Sequence, residues 1–240
     1  DEMGNPAESL RLLKWWAAEL EGMYAGRTHH PVFVALSGTV ARHGIPKQPF
    51  EDLIHAFVQD QTVTRYADWD QLLDYCVYSA NPVGRLVLYL CGYSDAGRQK
   101  LSDATCTALQ LANFWQDVTV DLRKDRVYMP LDVLRRHDCS LQDVFALRIT
   151  PGFRLAMREL VERARELFLQ GLPLARSVDG RLAVDLDLFS RGGLRILTKI
   201  ERQNYDVLSR RPAISKSERV RLLLGALVGA LARRAFSRAA

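Results

Sequence analysis

The sequence predicts an all-α protein, because helix signals recur along the chain and the apolar–polar alternation of β-strands is nearly absent. Thr150 and Pro151 pair an N-cap with a proline at the first helical position, and segments 140–143 and 215–218 resemble capping boxes. No repeat, low-complexity stretch or flexible linker divides the chain. We therefore expect one helical domain over residues 1–240.

The expected helices follow one another with short connections. The first follows Pro6 and Ser9 and ends at Gly26, and a proline and a glycine inside the fourth should kink or loosen it. The spans after the first are approximately 31–44, 50–64, 68–90, 94 or 102 to 123, a short helix from 140, 151–171, 185–211 and a last helix from 215.

The net charge of +5 and the pI near 9.1 favour an acidic partner, such as a nucleic acid, a membrane surface or a phosphorylated small molecule. The basic residues are spread along the chain without a long run, so we expect no nucleic-acid partner. The four cysteines are far apart and form no CxxC, which indicates buried free thiols in a reducing, cytoplasmic compartment.

Both ends of the chain carry a further expectation. The opening "DEMGNPAES" lacks an initiator methionine and a signal peptide, so we expect that N-terminal helices are missing from it. The apolar run "LLLGALVGAL" is ten residues long, well short of the ~20 that span a bilayer, and arginines flank it. It is typical of a core helix, and peripheral membrane contact is the alternative.

A polar stripe marks the fifth helix, where Gln110, Asn113, Asp117 and Asp121 are three or four residues apart and therefore share one face. Apolar residues surround them, which is typical of a buried helix. Two buried carboxylates repel each other unless a cation lies between them. With no histidine or cysteine at ligand spacing, the pattern favours Mg²⁺. A solvated helix edge is the alternative.

Bases follow the carboxylates directly. Arg123, Lys124 and Arg126 lie within a few positions of Asp121, with Tyr128 behind them. Carboxylates, a metal ion and bases together suit a diphosphate, whose oxygens the metal bridges while arginine or lysine neutralises the remaining charge. The alternative is a helix end whose bases complement the helix dipole.

The fourth helix adds a second stripe, with Tyr75, Tyr78 and Arg85 on one side and Asn81 beside the Pro82 break. A break in a buried helix frees backbone groups and makes room for a ligand, although a packing kink has the same pattern. Some aromatic residues could wall a cavity and face a carbocation, or be plain core. These are Phe57, Phe114, Trp115 and Phe189. We expect Asp185 and Asp187 to begin a helix.

Two segments, "DYCVYSANPVGRLVL" and "LQLANFWQDVTVDLRKDRVYMP", resemble the squalene/phytoene synthase family. The resemblance implies the isoprenoid synthase fold, in which helices surround a central cavity. It also implies two aspartate-rich motifs that hold Mg²⁺ on a substrate diphosphate. Asp117 and Asp121 match the second motif, and Asp1 with Glu2 resembles the end of the first, whose remainder would precede this chain.

Within the family, "YSANPVGRLVL" and "NFWQDV" are most similar to bacterial hydroxysqualene synthases of the hopanoid pathway. Gln116 occupies the position where phytoene and presqualene diphosphate synthases have an arginine. This departure suits an enzyme that takes one diphosphate, presqualene diphosphate. Head-to-head condensation to presqualene diphosphate, squalene or phytoene is the first alternative. A non-catalytic lipid-binding or assembly protein of the same fold is the second.

The chemistry that the resemblance implies is ionisation of the substrate C–O bond, rearrangement of a cyclopropylcarbinyl cation and capture by water, without NADPH. Asp1, Asp117 and Asp121 would hold Mg²⁺, and Tyr75 and Asn113 would act with the two aspartates in catalysis. Tyr205 is a further candidate at the diphosphate end. The partners would be the prenyl diphosphate and neighbouring enzymes of the hopanoid pathway. The implied substrate-binding residues are Tyr78, Asn81, Gln116, Lys124, Arg126, Tyr128, Phe189 and Arg210.

Overall fold

The computed structural model describes residues 5–237, without the side chains of 227, 228 and 230–237. This part of the chain forms thirteen helices, and its only β-type pairing is an isolated bridge between Arg65 and Val127. The all-α prediction is therefore confirmed. Asp1 and Glu2, the expected end of a first aspartate motif, lie outside the described residues.

The first three helices pack around a core of their own, which includes Leu20 and Phe33. The side chain of Asn5 accepts N–H groups at the start of the first helix and is its N-cap, so Pro6 and Ser9 lie inside the helix and do not precede it as expected. Gly44 ends the second helix in the left-handed conformation (φ 59°), as predicted. The bounds are α1 Pro6–Tyr24, α2 Pro31–His43 and α3 Gln48–Gln59.

The predicted helix over 68–90 is two helices, α4 (Trp69–Ser79) and α5 (Asn81–Leu90), which meet at Ala80. Pro82 follows the break directly, in the first turn, where its missing N–H costs nothing. Gly84 was expected to loosen the helix, but a Cβ there would lie 2.3 Å from Ser102 Oγ. The glycine thus permits close packing against the next helix.

The predicted helix ending near residue 123 is also divided, into α6 (Ala96–Gln116) and α7 (Val118–Leu122). Asp117 joins them with φ −107° and ψ 17°, outside the helical region. Three successive β-branched residues follow, which favour a helix weakly. The expected continuous stripe is therefore wrong: Asp117 lies at the break and Asp121 after it, and both are half-buried rather than buried.

The second half of the chain contains short helices between long ones. Both predicted capping boxes are present, from Ser140 to Asp143 and from Ser215 to Glu218. Asp185 and Asp187 lie within a helix that begins five residues before Asp185, so they do not start it as predicted. The bounds are α8 Leu131–Arg136, α9 Leu141–Phe145, α10 Pro151–Gly171, α11 Leu174–Ser177, α12 Gly180–Arg202 and α13 Lys216–Ser237.

Helix α6 lies at the centre and packs against α4, α5, α10 and α12. Trp115 is fully buried in the main core, and its Nε1–H donates to the Leu160 carbonyl at 3.1 Å. Trp115 is therefore core and not a cavity wall. Cys76 and Cys139 are buried, whereas Cys91 is exposed, against the prediction for that thiol. None of the described helices combines the length and the hydropathy that crossing a bilayer requires.

Candidate active site

The junction between α6 and α7 brings two carboxylates together. Asp117 accepts hydrogen bonds from the Arg211 guanidinium, one of them at 3.2 Å and the other from Nε. Burial raises the pKa of Asp121 to about 6, and repulsion by Asp117 adds to this shift while Lys124 and Arg126 oppose it. A cation beside these two carboxylates would relieve both the burial cost and the repulsion.

The two carboxylates fit a magnesium ion that is also bound by substrate. Within residues 5–237, no group of three or more histidine, cysteine, aspartate or glutamate side chains could hold a metal by itself. Mg²⁺ commonly binds one or two carboxylates together with substrate phosphates, and does not need a complete protein cage. Asp117 and Asp121 therefore suit a Mg²⁺–diphosphate complex better than they suit a structural metal.

A tight turn returns the basic segment towards Asp121. The backbone N–H groups of Lys124 and Arg126 both donate to the Asp121 carbonyl, at 2.9 and 3.0 Å. Asp125 occupies the left-handed region between them (φ 53°), and the Arg65 side chain pairs with it. The turn places Arg126 beside the carboxylates, with 13% of its side chain exposed.

Asp60, which follows α3, joins the basic segment to the tyrosine of α4. Its Oδ1 accepts the Tyr75 hydroxyl at 2.9 Å and Arg126 Nη1 at 3.1 Å. Its backbone carbonyl accepts Arg126 Nη2 at 2.9 Å, and Arg126 also donates to the Tyr128 hydroxyl at 3.2 Å. Four polar groups from three distant segments thus meet at one point.

Aromatic rings pack around these polar groups. Phe114 and Tyr128 are stacked, with centroids 3.7 Å apart and an interplanar angle of 7°. Tyr66 lies 5.4 Å from Tyr75 and 5.7 Å from Tyr128. Burial raises the pKa of all three tyrosines, so their hydroxyls stay neutral and remain donors.

Two cavities adjoin the carboxylates. The larger, of about 400 Å³, lies between α6, α12 and the segment before α13, and Asn113, Gln116, Phe189 and Arg211 line it. The smaller one is lined by Phe114, Asp121, Arg126 and Tyr128, among others. Apolar and polar side chains together line the larger cavity, and the polar ones are Asn113, Gln116, Arg211 and Arg219. A cavity with a few polar groups among apolar ones is typical of a small-molecule site, and it can bind an apolar chain that carries an anionic head group.

A family model described as squalene/phytoene synthase matches residues 1–218. The chain belongs to this family. It is 36% identical to a phytoene synthase of Thermus thermophilus, over 96% of this chain and 78% of that protein. It is 35% identical to a hydroxysqualene synthase of Rhodopseudomonas palustris, over 99% and 80%. A solved structure, squalene synthase HpnC from Alicyclobacillus acidocaldarius, is 43% identical, with a TM-score of 0.83 over 86% of this chain and 78% of that one.

Squalene/phytoene synthases are isoprenoid synthases that act on prenyl diphosphates, so the expected fold and enzyme class are confirmed at that level. Around the family motif, the structure brings together Asp121, Arg126 and Tyr128 at the smaller cavity, with Tyr75 reached through Asp60. Lys124 is exposed on the same turn. The similar identities to relatives with two different names leave the product within the family undecided.

Other expected site residues make different contacts. Asn81 is buried and accepts the Thr107 hydroxyl at 2.9 Å, which ties α5 to α6. Tyr78 packs against His55, with ring centroids 4.4 Å apart. The Arg85 side chain pairs with Asp103, so the expected stripe of the fourth helix is divided. These contacts are structural ties between helices.

The segment after α12 also differs from expectation. Arg210 provides its carbonyl to Gln203, at 2.9 Å, while the next residue, Arg211, contacts Asp117. The Tyr205 ring lies under the Arg158 guanidinium, 5.3 Å away.

Phe189 lines the larger cavity and is 56% exposed. Phe57 is 51% exposed and thus does not belong to the core.

Three residues of the site were missed in the sequence: Asp60, Tyr66 and Arg211. Arg211 adjoins Arg210 in sequence, and local pattern cannot tell which of the two arginines contacts Asp117. Asp60 is 15 positions from Tyr75 and 66 from Arg126, so no spacing rule connects them. The "RY" pair that contains Tyr66 gave no signal, because burial of an isolated tyrosine depends on tertiary packing.

Proposed function

We propose that the protein is a Mg²⁺-dependent hydroxysqualene synthase, which converts presqualene diphosphate and water to hydroxysqualene and diphosphate. The observation that carries this proposal is the position of Gln116. This residue lines the larger cavity next to Asp117, and its Nε2–H donates to the Pro212 carbonyl at 2.6 Å. The Gln116 side chain is neutral, and its N–H is already bonded to a backbone carbonyl. It therefore provides no positive charge to bind a second diphosphate, whereas an enzyme that condenses two prenyl diphosphates must bind both.

The metal would be held by Asp117 and Asp121, with Asp1 as a further ligand beyond the described residues. When bound, Mg²⁺ supplies positive charge that stabilises the departing diphosphate. Lys124, Arg126 and Tyr128 would bind the remaining phosphate oxygens by charge-assisted hydrogen bonds. The half-buried positions of Arg126 and Tyr128 strengthen the attraction of these two groups to the anion.

In the proposed reaction the C–O bond breaks, and its electron pair leaves with the diphosphate. The cyclopropylcarbinyl cation that remains would face the rings of Phe114 and Tyr128, which line the smaller cavity and whose π systems attract positive charge. The buried Tyr75 packs against both rings. After rearrangement, water adds to the cation and releases a proton, so no reductant is needed. Asn113, exposed at the wall of the larger cavity, would orient the diphosphate or a water molecule.

Head-to-head condensation to presqualene diphosphate, squalene or phytoene is the alternative within the family. The 36% identity to a phytoene synthase favours it as much as the 35% identity to a hydroxysqualene synthase favours the proposal. A non-catalytic lipid-binding or assembly role is opposed by the presence of both carboxylates and the bases beside them.

The deciding experiment offers presqualene diphosphate and farnesyl diphosphate separately, with Mg²⁺, and measures diphosphate release and C30 products. We expect hydroxysqualene from presqualene diphosphate, and no C30 product from farnesyl diphosphate. Turnover of farnesyl diphosphate without a partner enzyme would contradict the proposal and favour condensation. Intact folding with no Mg²⁺-dependent diphosphate release from either substrate would favour the non-catalytic role.

We also propose that the enzyme works in the cytoplasm with peripheral contact to a membrane. On α13, Val220, Leu223 and Leu224 are exposed, and the exposed Arg219 and Arg221 flank them. An exposed apolar face beside cationic side chains is typical of helices that lie on anionic lipid. Such contact would suit a product with very low solubility in water. Neighbouring enzymes of the hopanoid pathway remain proposed partners.

A further inference from the structure

Asp60 is the point at which three separate segments of the site are joined. It follows α3, and its side chain is 14% exposed. The Tyr75 hydroxyl and the Arg126 guanidinium both donate to its Oδ1, at 2.9 and 3.1 Å. Tyr75 belongs to α4, whereas Arg126 lies on the turn after α7.

The bonds of Asp60 determine where the Arg126 guanidinium points. Nη1 donates to the Asp60 carboxylate and Nη2 donates to the Asp60 carbonyl. The side chain and the backbone of one residue thus bind the planar guanidinium at two of its nitrogens. A guanidinium held at two nitrogens cannot rotate freely about its long side chain. Its Nη1 also donates to the Tyr128 hydroxyl, whose ring stacks on Phe114.

The same loop that contains Asp60 is fastened to the basic turn along its length. The Val127 N–H donates to the Thr64 carbonyl at 3.0 Å, and the Leu131 N–H donates to the Tyr66 carbonyl at 2.9 Å. The Arg65 side chain reaches Asp125 from the same loop. The loop after α3 therefore packs along the turn and supports it, and Asp60 is the first residue of this loop.

From these contacts we infer that Asp60 is a positioning residue of the diphosphate site, holding Arg126 and Tyr75 in the orientation in which they meet the substrate. Asp60 touches both groups but does not line either cavity. The inference rests on the proposed site for a prenyl diphosphate, and it does not depend on which product is formed. A small misplacement of a positioned group costs roughly 10²-fold in rate.

The test replaces the carboxylate by an amide. Asp60→Asn retains one acceptor but loses the charge, and should lower kcat/KM roughly 10- to 100-fold with whichever prenyl diphosphate the wild type accepts. The control is Asp70→Asn, which removes an exposed carboxylate at the start of α4, outside the contacts of Asp60 and of the basic turn. It should stay within about threefold of wild type.

A second variant separates positioning from a general structural role. If Asp60 acts through Arg126 and Tyr75, adding Asp60→Asn to the double variant Arg126→Gln/Tyr75→Phe should cause little further loss of activity. If Asp60→Asn lowers kcat/KM by the same factor in the wild type and in that double variant, the inference is wrong. Circular dichroism and Tm check folding, and Asp60→Glu, which keeps the charge but displaces the carboxylate, replaces Asp60→Asn if that variant does not fold.

Calorimetry with inorganic diphosphate and Mg²⁺ makes the outcome independent of turnover. Asp60→Asn should weaken diphosphate binding roughly tenfold, whereas Asp70→Asn should leave it unchanged. Wild-type diphosphate binding without conversion of presqualene diphosphate would refute the proposed function and leave this inference standing. Unaltered kcat/KM and diphosphate affinity in Asp60→Asn would refute the inference alone.

Discussion

Asp117 lies where α6 ends, with its carboxylate on the Arg211 guanidinium. We expect Asp117→Asn to abolish diphosphate release, a loss of roughly 10²-fold or more, because charge stabilisation at the leaving group depends on it. The pair with Arg211 is partly exposed, so stability should change by only ~0–1 kcal/mol. Steady-state kinetics and Tm measure the two effects.

The control for that variant is Asp70→Asn, which removes an exposed carboxylate at the start of α4. It should leave activity and Tm close to wild type. Activity that survives in Asp117→Asn would make the metal assignment wrong, whereas loss of the fold would make Asp117 a structural residue.

Gln116 illustrates a residue whose effect on stability can be measured apart from its effect on specificity. Gln116→Leu leaves the buried Pro212 carbonyl without its donor, which should lower the free energy of unfolding by roughly 1–3 kcal/mol. The control is Gln61→Leu, which removes a similar bond to the Phe57 carbonyl at an exposed site. Urea unfolding should show a clearly smaller change for the control.

At the scale of elements, two adjacent glycines of α12 make a matched pair. A Cβ on Gly193 would lie 2.1 Å from Cζ of the fully buried Phe168 in α10, whereas a Cβ on Gly192 would meet nothing within 4 Å. Gly193→Ala should therefore destabilise by roughly 1–3 kcal/mol through overpacking. Gly192→Ala should stabilise by about 1 kcal/mol through helix propensity. Equal values in urea unfolding would show that α10 and α12 are not so close.

The exposed face of α13 supports a second prediction at this scale. The double variant Leu223→Asp/Leu224→Asp should weaken binding to phosphatidylcholine–phosphatidylglycerol vesicles roughly tenfold or more, because it removes apolar contact and adds negative charge. Leu169→Asp, at an equally exposed leucine of α10, is the control and should bind like wild type. If no variant differs from wild type in vesicle sedimentation, α13 is not the membrane contact.

For the molecule as a whole, Glu218 connects α13 to the body of the protein. Lys199 Nζ, the Ser215 N–H and the Arg195 guanidinium all contact this carboxylate, and they hold its pKa well below its usual range. A group whose pKa is lower in the folded state stabilises above its unfolded pKa, and this stability is lost as the pH falls. The contribution should therefore be complete at pH 7.

Thermal unfolding between pH 7 and pH 3 tests this. Wild type should have the higher Tm at pH 7, and its advantage over Glu218→Gln should shrink as the pH falls below about 4.5, the ordinary glutamate value. Glu166→Gln, at an exposed position of α10, should follow wild type throughout. A Tm difference that is independent of pH would mean that the charge of Glu218 does not contribute.

Local signals were sufficient for most of the helices. The Thr150–Pro151 start, the two capping boxes and the glycine after α2 were all correct, because caps and prolines act on the nearest residues. The interruption at Asp117 was missed, since helical periodicity continues across it and only the dihedral angles reveal the break. Likewise, α12 begins at Gly180, five residues before the predicted start at Asp185.

The chemistry of the site divides in the same way. The sequence by itself determined the helical class and the spacing of Asp117 and Asp121, with a basic segment close behind, because these depend on neighbours in the chain. Only the tertiary structure decided that Arg211 faces Asp117 and that Asp60 binds both Tyr75 and Arg126. These partners are far apart in sequence, and packing of separate helices brings them together, which no local periodicity encodes.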